Sequence, residues 1–269
     1  MYNKTQFSGL WAVILGGSSG FGLAAVEKLA KYGMNVAVLY RETSVADKLL
    51  KEKFTQIATP NSITILPFNI NALDAGGIEF FIKEFIGHAE TRSVKLLLHS
   101  IARGNLKPLA MKADDDTSKL LSIEDMQVTT YAMSHSLLDW TRALLRADLF
   151  HADGRIVGLT SEGAHKYWES YAAVSIAKAS LESLTKYMAV EFSAYGLKTN
   201  LIQAGITETP SLKRIPGSDG LIKMGRDRNP LGRMTKPNDV ADVIYLLCTD
   251  ESFWINGSLI HVDGGEHCK

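Results

Sequence analysis

Short apolar runs alternate with amphipathic stretches along most of the 269-residue chain. The strand-like runs are Trp11–Leu15, Asn35–Tyr40, Ile63–Phe68, Lys95–His99, Arg155–Thr160, Lys198–Gln203 and Leu259–Val262. Helical periodicity fills 20–32, 44–58, 74–88, 122–149, 170–195 and 237–249. Short strands that are apolar on both faces suit a parallel sheet covered on both sides. The alternation predicts an α/β fold: a doubly wound parallel sheet of about seven strands, with helices on both faces. Segment 207–232, rich in Gly, Pro and charge, has weak periodicity. It reads as a mobile excursion between a strand and a late helix.

A chain of this length sits near the size at which one hydrophobic core stops growing. With no repeat or low-complexity linker, 1–269 reads as a single domain. Lysine plus arginine and aspartate plus glutamate both number 29, so the net charge is zero. Nothing draws the chain to nucleic acid or an anionic membrane. Small molecules, or copies of itself, are the expected partners. Lys4 followed by an apolar stretch at 9–15 loosely imitates a leader, but it runs into Gly16 and reads better as a first strand. No apolar run approaches the roughly 20 residues of a membrane span. Cys248 and Cys268 stand in no CxxC or Cys/His cluster, so no metal is expected and a reducing, cytoplasmic setting fits. The acidic run Asp114–Asp116 reads as a solvated loop or helix cap.

Candidate chemistry begins directly after the first strand. Gly16-Gly17-Ser18-Ser19-Gly20-Phe21-Gly22 precedes a helical stretch, and a second strand follows. Glycines are needed where the chain turns tightly and where backbone approaches a pyrophosphate, and the helix N-terminus offers free N–H groups to phosphate. This strand, loop and helix order points to a Rossmann fold holding a nicotinamide dinucleotide. An acid at the end of the second strand would hold the ribose 2′-hydroxyl of NAD, whereas an arginine suits the 2′-phosphate of NADP. Positions 39–41 hold no acid, Arg41 follows the strand, and Glu42 lies one step beyond. NADPH is therefore expected over NADH.

Taken together, these motifs resemble the short-chain dehydrogenase/reductase family over nearly the whole chain. Several positions depart from its common pattern. Leu15 stands where the loop usually has threonine. His99-Ser100-Ile101-Ala102 replaces the usual Asn-Asn-Ala-Gly, and Ala204-Gly205-Ile206-Thr207-Glu208-Thr209 replaces Pro-Gly-x-x-x-Thr. Both variants are similar to bacterial enoyl-acyl-carrier-protein reductases of the FabI/FabL kind. Four residues before Lys178, where most members carry tyrosine, stands Val174. Seven residues before it stands Tyr171, the spacing of the enoyl reductases, with Tyr167 four residues earlier. Ser161 lies seventeen residues before Lys178, where ketoreductases place a serine. Near Ser134 and His135 the family's usual asparagine is missing.

The resemblance implies roles. Tyr171 would donate to the developing enolate oxygen, and Lys178 would hold the nicotinamide ribose and assist proton relay. Tyr167 would line the acyl pocket or assist, and Ser161 would bind substrate or water. Cofactor contacts would come from Gly16, Ser18, Ser19, Gly20, Phe21, Gly22, Arg41, Asn69, Ile70, Ser100, Ile101, Ala102, Lys178, Ala204, Gly205, Thr207 and Thr209. Segment 207–232 would cover the substrate. A homotetramer and an acyl thioester on acyl carrier protein or coenzyme A would follow. His99 reads as structural, Met111, Met126 and Met133 as core or pocket wall, and Trp168 as either pocket floor or packing.

The spacing has a chemical rationale. Helix positions seven apart share a face about 10 Å apart along the axis, against about 6 Å for positions four apart. Reducing an enoyl thioester puts hydride on the β-carbon while charge gathers on a more distant oxygen, so an acid one turn further back suits it. The expected function is NAD(P)H-dependent reduction of an enoyl 2,3-double bond in acyl-chain synthesis. A carbonyl or alcohol oxidoreductase and a non-catalytic dinucleotide sensor stand as alternatives.

Overall fold

The computed structural model describes residues 3–110 and 119–269, so Met111 and Asp114–Asp116 lie outside the described residues. Strands β1 (Trp11–Leu15), β2 (Asn35–Tyr40), β3 (Ile65–Asn69), β4 (Val94–His99), β5 (Phe150–Thr160), β6 (Lys198–Ala204) and β7 (Leu259–Val262) form one sheet. Its order is β3-β2-β1-β4-β5-β6-β7, and every neighbouring pair is parallel. This is the expected Rossmann-type architecture. The helices are α1 (Gly20–Ala30), α2 (Ser44–Asn61), α3 (Ala75–Phe85), α4 (Ile123–Thr130), α5 (Ser136–Arg146), α6 (Ala172–Glu191), α7 (Ser218–Arg228) and α8 (Pro237–Cys248).

All five side chains of β1 are buried, which explains its unbroken apolar run. Ala12 and Ile14 join a core layer with Val26 and Leu29 of α1, Phe54 of α2 and Ile244 of α8. Trp11, Val13 and Leu15 join the opposite layer with Phe81 and Phe85 of α3, Trp140 of α5 and Leu181 of α6. The stretch that imitated a leader is thus a central strand.

The larger departures from expectation have local reasons. β3 starts at Ile65 rather than Ile63 because Ser62, at φ 54°, caps α2 and Ile63 N still donates to the Ala58 carbonyl. β5 starts at Phe150 rather than Arg155, pairing Phe150 with Val94. The single helix expected over 122–149 is interrupted by a π-helical turn at Tyr131–His135. Segment 207–232 is not an irregular excursion: it holds a 3₁₀ turn at Leu212–Arg214 and helix α7. The buried residues of α7 are Leu221 and Gly225, too few for a readable apolar stripe. Among the described residues no helix is long and apolar enough to cross a membrane.

Candidate active site

The C-terminal ends of β1 and β4 adjoin where the strand order reverses, the usual binding crevice of such sheets. Gly16, at φ +86°, packs so tightly there that a Cβ would sit 2.6 Å from the Ser100 carbonyl oxygen. A Cβ on Gly22 would sit 2.2 Å from the Gly16 carbonyl oxygen. Only glycine fits these two places. Ser19 precedes α1 without a side-chain cap, which leaves the first-turn N–H groups for an anion. Thr209 lies across from this loop, its Cγ2 3.5 Å from where a Gly20 side chain would begin. These features fit a dinucleotide pyrophosphate held by Ser18, Ser19, Gly20 and Phe21.

The ribose end departs from the sequence reading. Glu42, one step past the expected acid position, turns back, and its Oε1 accepts the Ser18 hydroxyl at 3.0 Å. Asn69 secures that turn: Glu42 N donates to Asn69 Oδ1 at 2.9 Å, and Asn69 Nδ2 donates to the Glu42 carbonyl at 3.0 Å. The Asn69 side chain is thus engaged with protein. Ile70 packs against the core below the site. Arg41 is exposed and has no hydrogen-bond or ion-pair partner among the described residues.

The catalytic candidates gather at the ends of β5 and α6. Tyr171 is the N-cap of α6 rather than a residue within it, so the helical-wheel relation to Lys178 is approximate. Its ring packs on Gly163, where a Cβ would meet Tyr171 Cε1 at 2.6 Å. Burial pushes its phenol above the ordinary value, and the neighbouring Ser161 hydroxyl offsets part of that rise. Ser161 Oγ also accepts Gly163 N at 3.1 Å, which closes a short turn that fixes it. Lys178 is buried, and its Nζ donates to the Leu159 carbonyl at 2.7 Å. Burial lowers its ammonium to about 8, against a pull upward from the Glu182 carboxylate.

Around Tyr171 lies an apolar cluster of Met133, Val174 and Ala177, with Leu106 packed against it. Val174 therefore occupies wall, not chemistry. Tyr167 is not brought in, for it is 88% exposed. Trp168 is half-buried, and its indole Nε1 is buried without a partner. His99 is structural: its Nε2 lies 2.8 Å from Ser136 Oγ, and burial lowers it to about 3. Thr207 Oγ1 donates to the Gly205 carbonyl at 2.9 Å, and Thr209 Oγ1 accepts Leu212 N at 3.2 Å. These bonds hold the chain leading into α7. Among the described residues no cluster of His, Cys, Asp and Glu is placed for a metal.

A family model described as enoyl-(acyl carrier protein) reductase matches residues 16–267. The chain belongs to that family. Within this enoyl reductase family, and the wider short-chain dehydrogenase/reductase group, relatives differ in chemistry. The NADH-type enoyl-[acyl-carrier-protein] reductase of Aquifex aeolicus is 31% identical over 72% of this chain and 68% of its own. A crystal structure of the Aquifex aeolicus NADH enoyl reductase superposes with TM-score 0.80 at 26% identity, covering 98% of both chains. The 1-cyclohexenylcarbonyl-CoA reductase of Streptomyces collinus is 27% identical over 94% of this chain and 85% of its own. A tropinone reductase homolog of Arabidopsis thaliana is 24% identical over 97% and 94%. The chain is a nicotinamide-dependent oxidoreductase by family.

The sequence reading missed Glu42 as a neighbour of Ser18, Glu182 as a neighbour of Lys178, and Arg228 as the partner of Glu162. Each looks like an ordinary surface charge in one dimension, and no spacing marks it.

Proposed function

We propose that the protein reduces the 2,3-double bond of an enoyl thioester in acyl-chain synthesis, with NADPH as reductant. The observation that carries this reading is Val174, buried in an apolar wall four residues before Lys178, with the Tyr171 ring packed against that same cluster. The position four before Lys178, where a ketone reductase presents its acid, thus offers no hydroxyl. Bound NADPH would supply the hydride to the β-carbon, and a proton drawn from solvent would complete the α-carbon. Tyr171, whose phenol burial raises further above its ordinary value, donates a hydrogen bond to the thioester oxygen as charge gathers there. Ser161 orients that phenol. Lys178 holds the nicotinamide ribose and keeps a positive charge below the site. Met133, Val174 and Leu106 would line one side of the acyl chain, and Thr207 and Thr209 would hold the nicotinamide. Exposed Arg41 receives the 2′-phosphate.

The carrier is acyl carrier protein or coenzyme A, and the assembly a homotetramer. Exposed apolar Ile123 and Val128 on α4, and Ile176, Tyr187 and Val190 on α6, support self-association. A carbonyl oxidoreductase is the second reading, favoured by Ser161 standing against the Tyr171 hydroxyl. The test is oxidation of NADPH by the purified protein with crotonyl thioester and, separately, acetoacetyl thioester. Oxidation with the enoyl substrate alone is expected. Oxidation with the ketone alone would transfer the assignment to the second reading.

A further inference from the structure

Arg228, the last residue of α7, has every nitrogen engaged. Nη1 donates to Glu162 Oε2 at 2.9 Å and Nη2 to Glu162 Oε1 at 2.8 Å. Nη2 also donates to the Glu266 carbonyl at 3.0 Å, and Nε to the Lys269 carbonyl at 3.2 Å. Glu162 directly follows Ser161 and also accepts Lys166 Nζ at 2.6 Å. The two side chains are only 18% and 21% exposed. Exposed ion pairs contribute little, but a two-pronged, mostly buried guanidinium–carboxylate pair fixes orientation as well as distance.

The clasp reaches further through Glu266. That residue is buried, and both carboxylate oxygens accept Ile206 N at 3.2 Å, one residue before Thr207. Arg228 therefore ties together the end of α7, the turn carrying Ser161, and the chain that leads into the Thr207–Thr209 segment. Apolar packing holds α7 weakly by comparison. Its buried residues are Leu221 and Gly225, the latter seated on Ile206.

We propose that Arg228, through Glu162, is a positioning residue that fixes the end of α7 against the turn carrying Ser161 and so sets the room left for the acyl chain. For its substrate this rests on the enoyl thioester reading; the clasp itself rests on geometry.

The test compares Arg228→Lys, Arg228→Gln, Glu162→Gln and the double variant Glu162→Gln/Arg228→Gln. Each single change is expected to raise the thioester KM about tenfold, the loss of roughly one charge-assisted hydrogen bond. The kcat should stay within about threefold, since the groups that stabilise transition-state charge are untouched. Arg228→Lys should behave like Arg228→Gln, because one ammonium cannot span a carboxylate and two carbonyls. The double variant should be no worse than the worse single change, as two parts of one device are not additive. Chymotrypsin should cut within 207–232 at least about tenfold faster in every variant, because local opening governs cleavage. A lowered Tm with KM unchanged would show a mere staple and overturn the proposal, as would additive effects in the double variant. If wild-type protein oxidises NADPH with no enoyl thioester, the substrate reading fails alone. The clasp is then judged by proteolysis, where cleavage as slow as in wild type overturns it.

Discussion

Lys178 Nζ donates to the Leu159 carbonyl at 2.7 Å, so a buried ammonium is fastened to the same strand end that carries Ser161. Burial lowers this ammonium from 10.5 to about 8. Between those values the unfolded chain holds a proton that the folded chain has released. Stability from this group therefore rises as pH climbs from 8 to 10.5, and below pH 8 the group costs stability. Lys178→Met should abolish turnover yet raise the Tm at neutral pH. Thermal unfolding of the two proteins checks this, and a lower Tm in the variant would contradict it. Wild-type turnover should also decline above about pH 8 as the ammonium is lost.

Tyr171 and Tyr167 are separable by one substitution each. Tyr171→Phe removes the one hydroxyl held against Ser161 in the apolar cluster. Turnover with crotonyl thioester should fall about 10²-fold or more, with dinucleotide affinity nearly unchanged. Tyr167→Phe, on a side chain 88% exposed, should leave both quantities close to wild type. Steady-state kinetics and dinucleotide titration of the pair decide the matter. Unaltered turnover in Tyr171→Phe would remove that residue from the mechanism.

The legibility of these features follows from how far apart their parts lie in the chain. β1 is readable because all of Trp11–Leu15 is buried, so burial on both faces leaves an unbroken apolar run. The glycine loop is readable because Gly16 and Gly22 answer to backbone crowding that no other residue tolerates. Tyr171 and Lys178 are readable because one helix start and its second turn fix their separation. The clasp is not, because Glu162 and Arg228 stand 66 residues apart and meet only through the tertiary fold. Nor is the π-helical turn at Tyr131–His135: Ser136 Oγ reaches back to the Ala132 carbonyl and across to His99, a contact that no helical period announces. Glu42 shows a third limit. Its carboxylate is one residue too late by strand counting, yet the turn pinned by Asn69 carries it back to Ser18.

His99 should make the fold sensitive to acid. Its ring is buried and held near 3, whereas in the unfolded chain it titrates at about its ordinary 6.5. As pH falls below 6.5 the unfolded state takes up a proton that the folded state refuses, so stability drops across 6.5 to 3. At about two units below the ordinary value the loss is about 3 kcal/mol, at 1.36 kcal/mol per unit. His99→Asn removes this term. The wild-type denaturant midpoint minus the variant midpoint should therefore fall as pH is lowered from 6.5 towards 3, whatever the offset at neutral pH. Parallel pH profiles would show that His99 is protonated in the fold.

Arg41 decides the choice of reductant against an opposing neighbour. Its guanidinium is exposed without a partner among the described residues, and the Glu42 carboxylate stands by at Ser18. A 2′-phosphate would meet a cation on one side and a carboxylate on the other, whereas a bare ribose hydroxyl needs only the carboxylate. Arg41→Ala should raise the KM for NADPH at least about tenfold, the scale of one charge-assisted contact, and leave the KM for NADH unchanged. Glu42→Gln should act the other way, because it removes the carboxylate's repulsion of the phosphate. It should lower the KM for NADPH and raise that for NADH. Kinetics with both dinucleotides on the two variants provide the check. If wild-type protein already prefers NADH and Arg41→Ala changes neither constant, Arg41 is an ordinary surface cation and Glu42 holds the ribose.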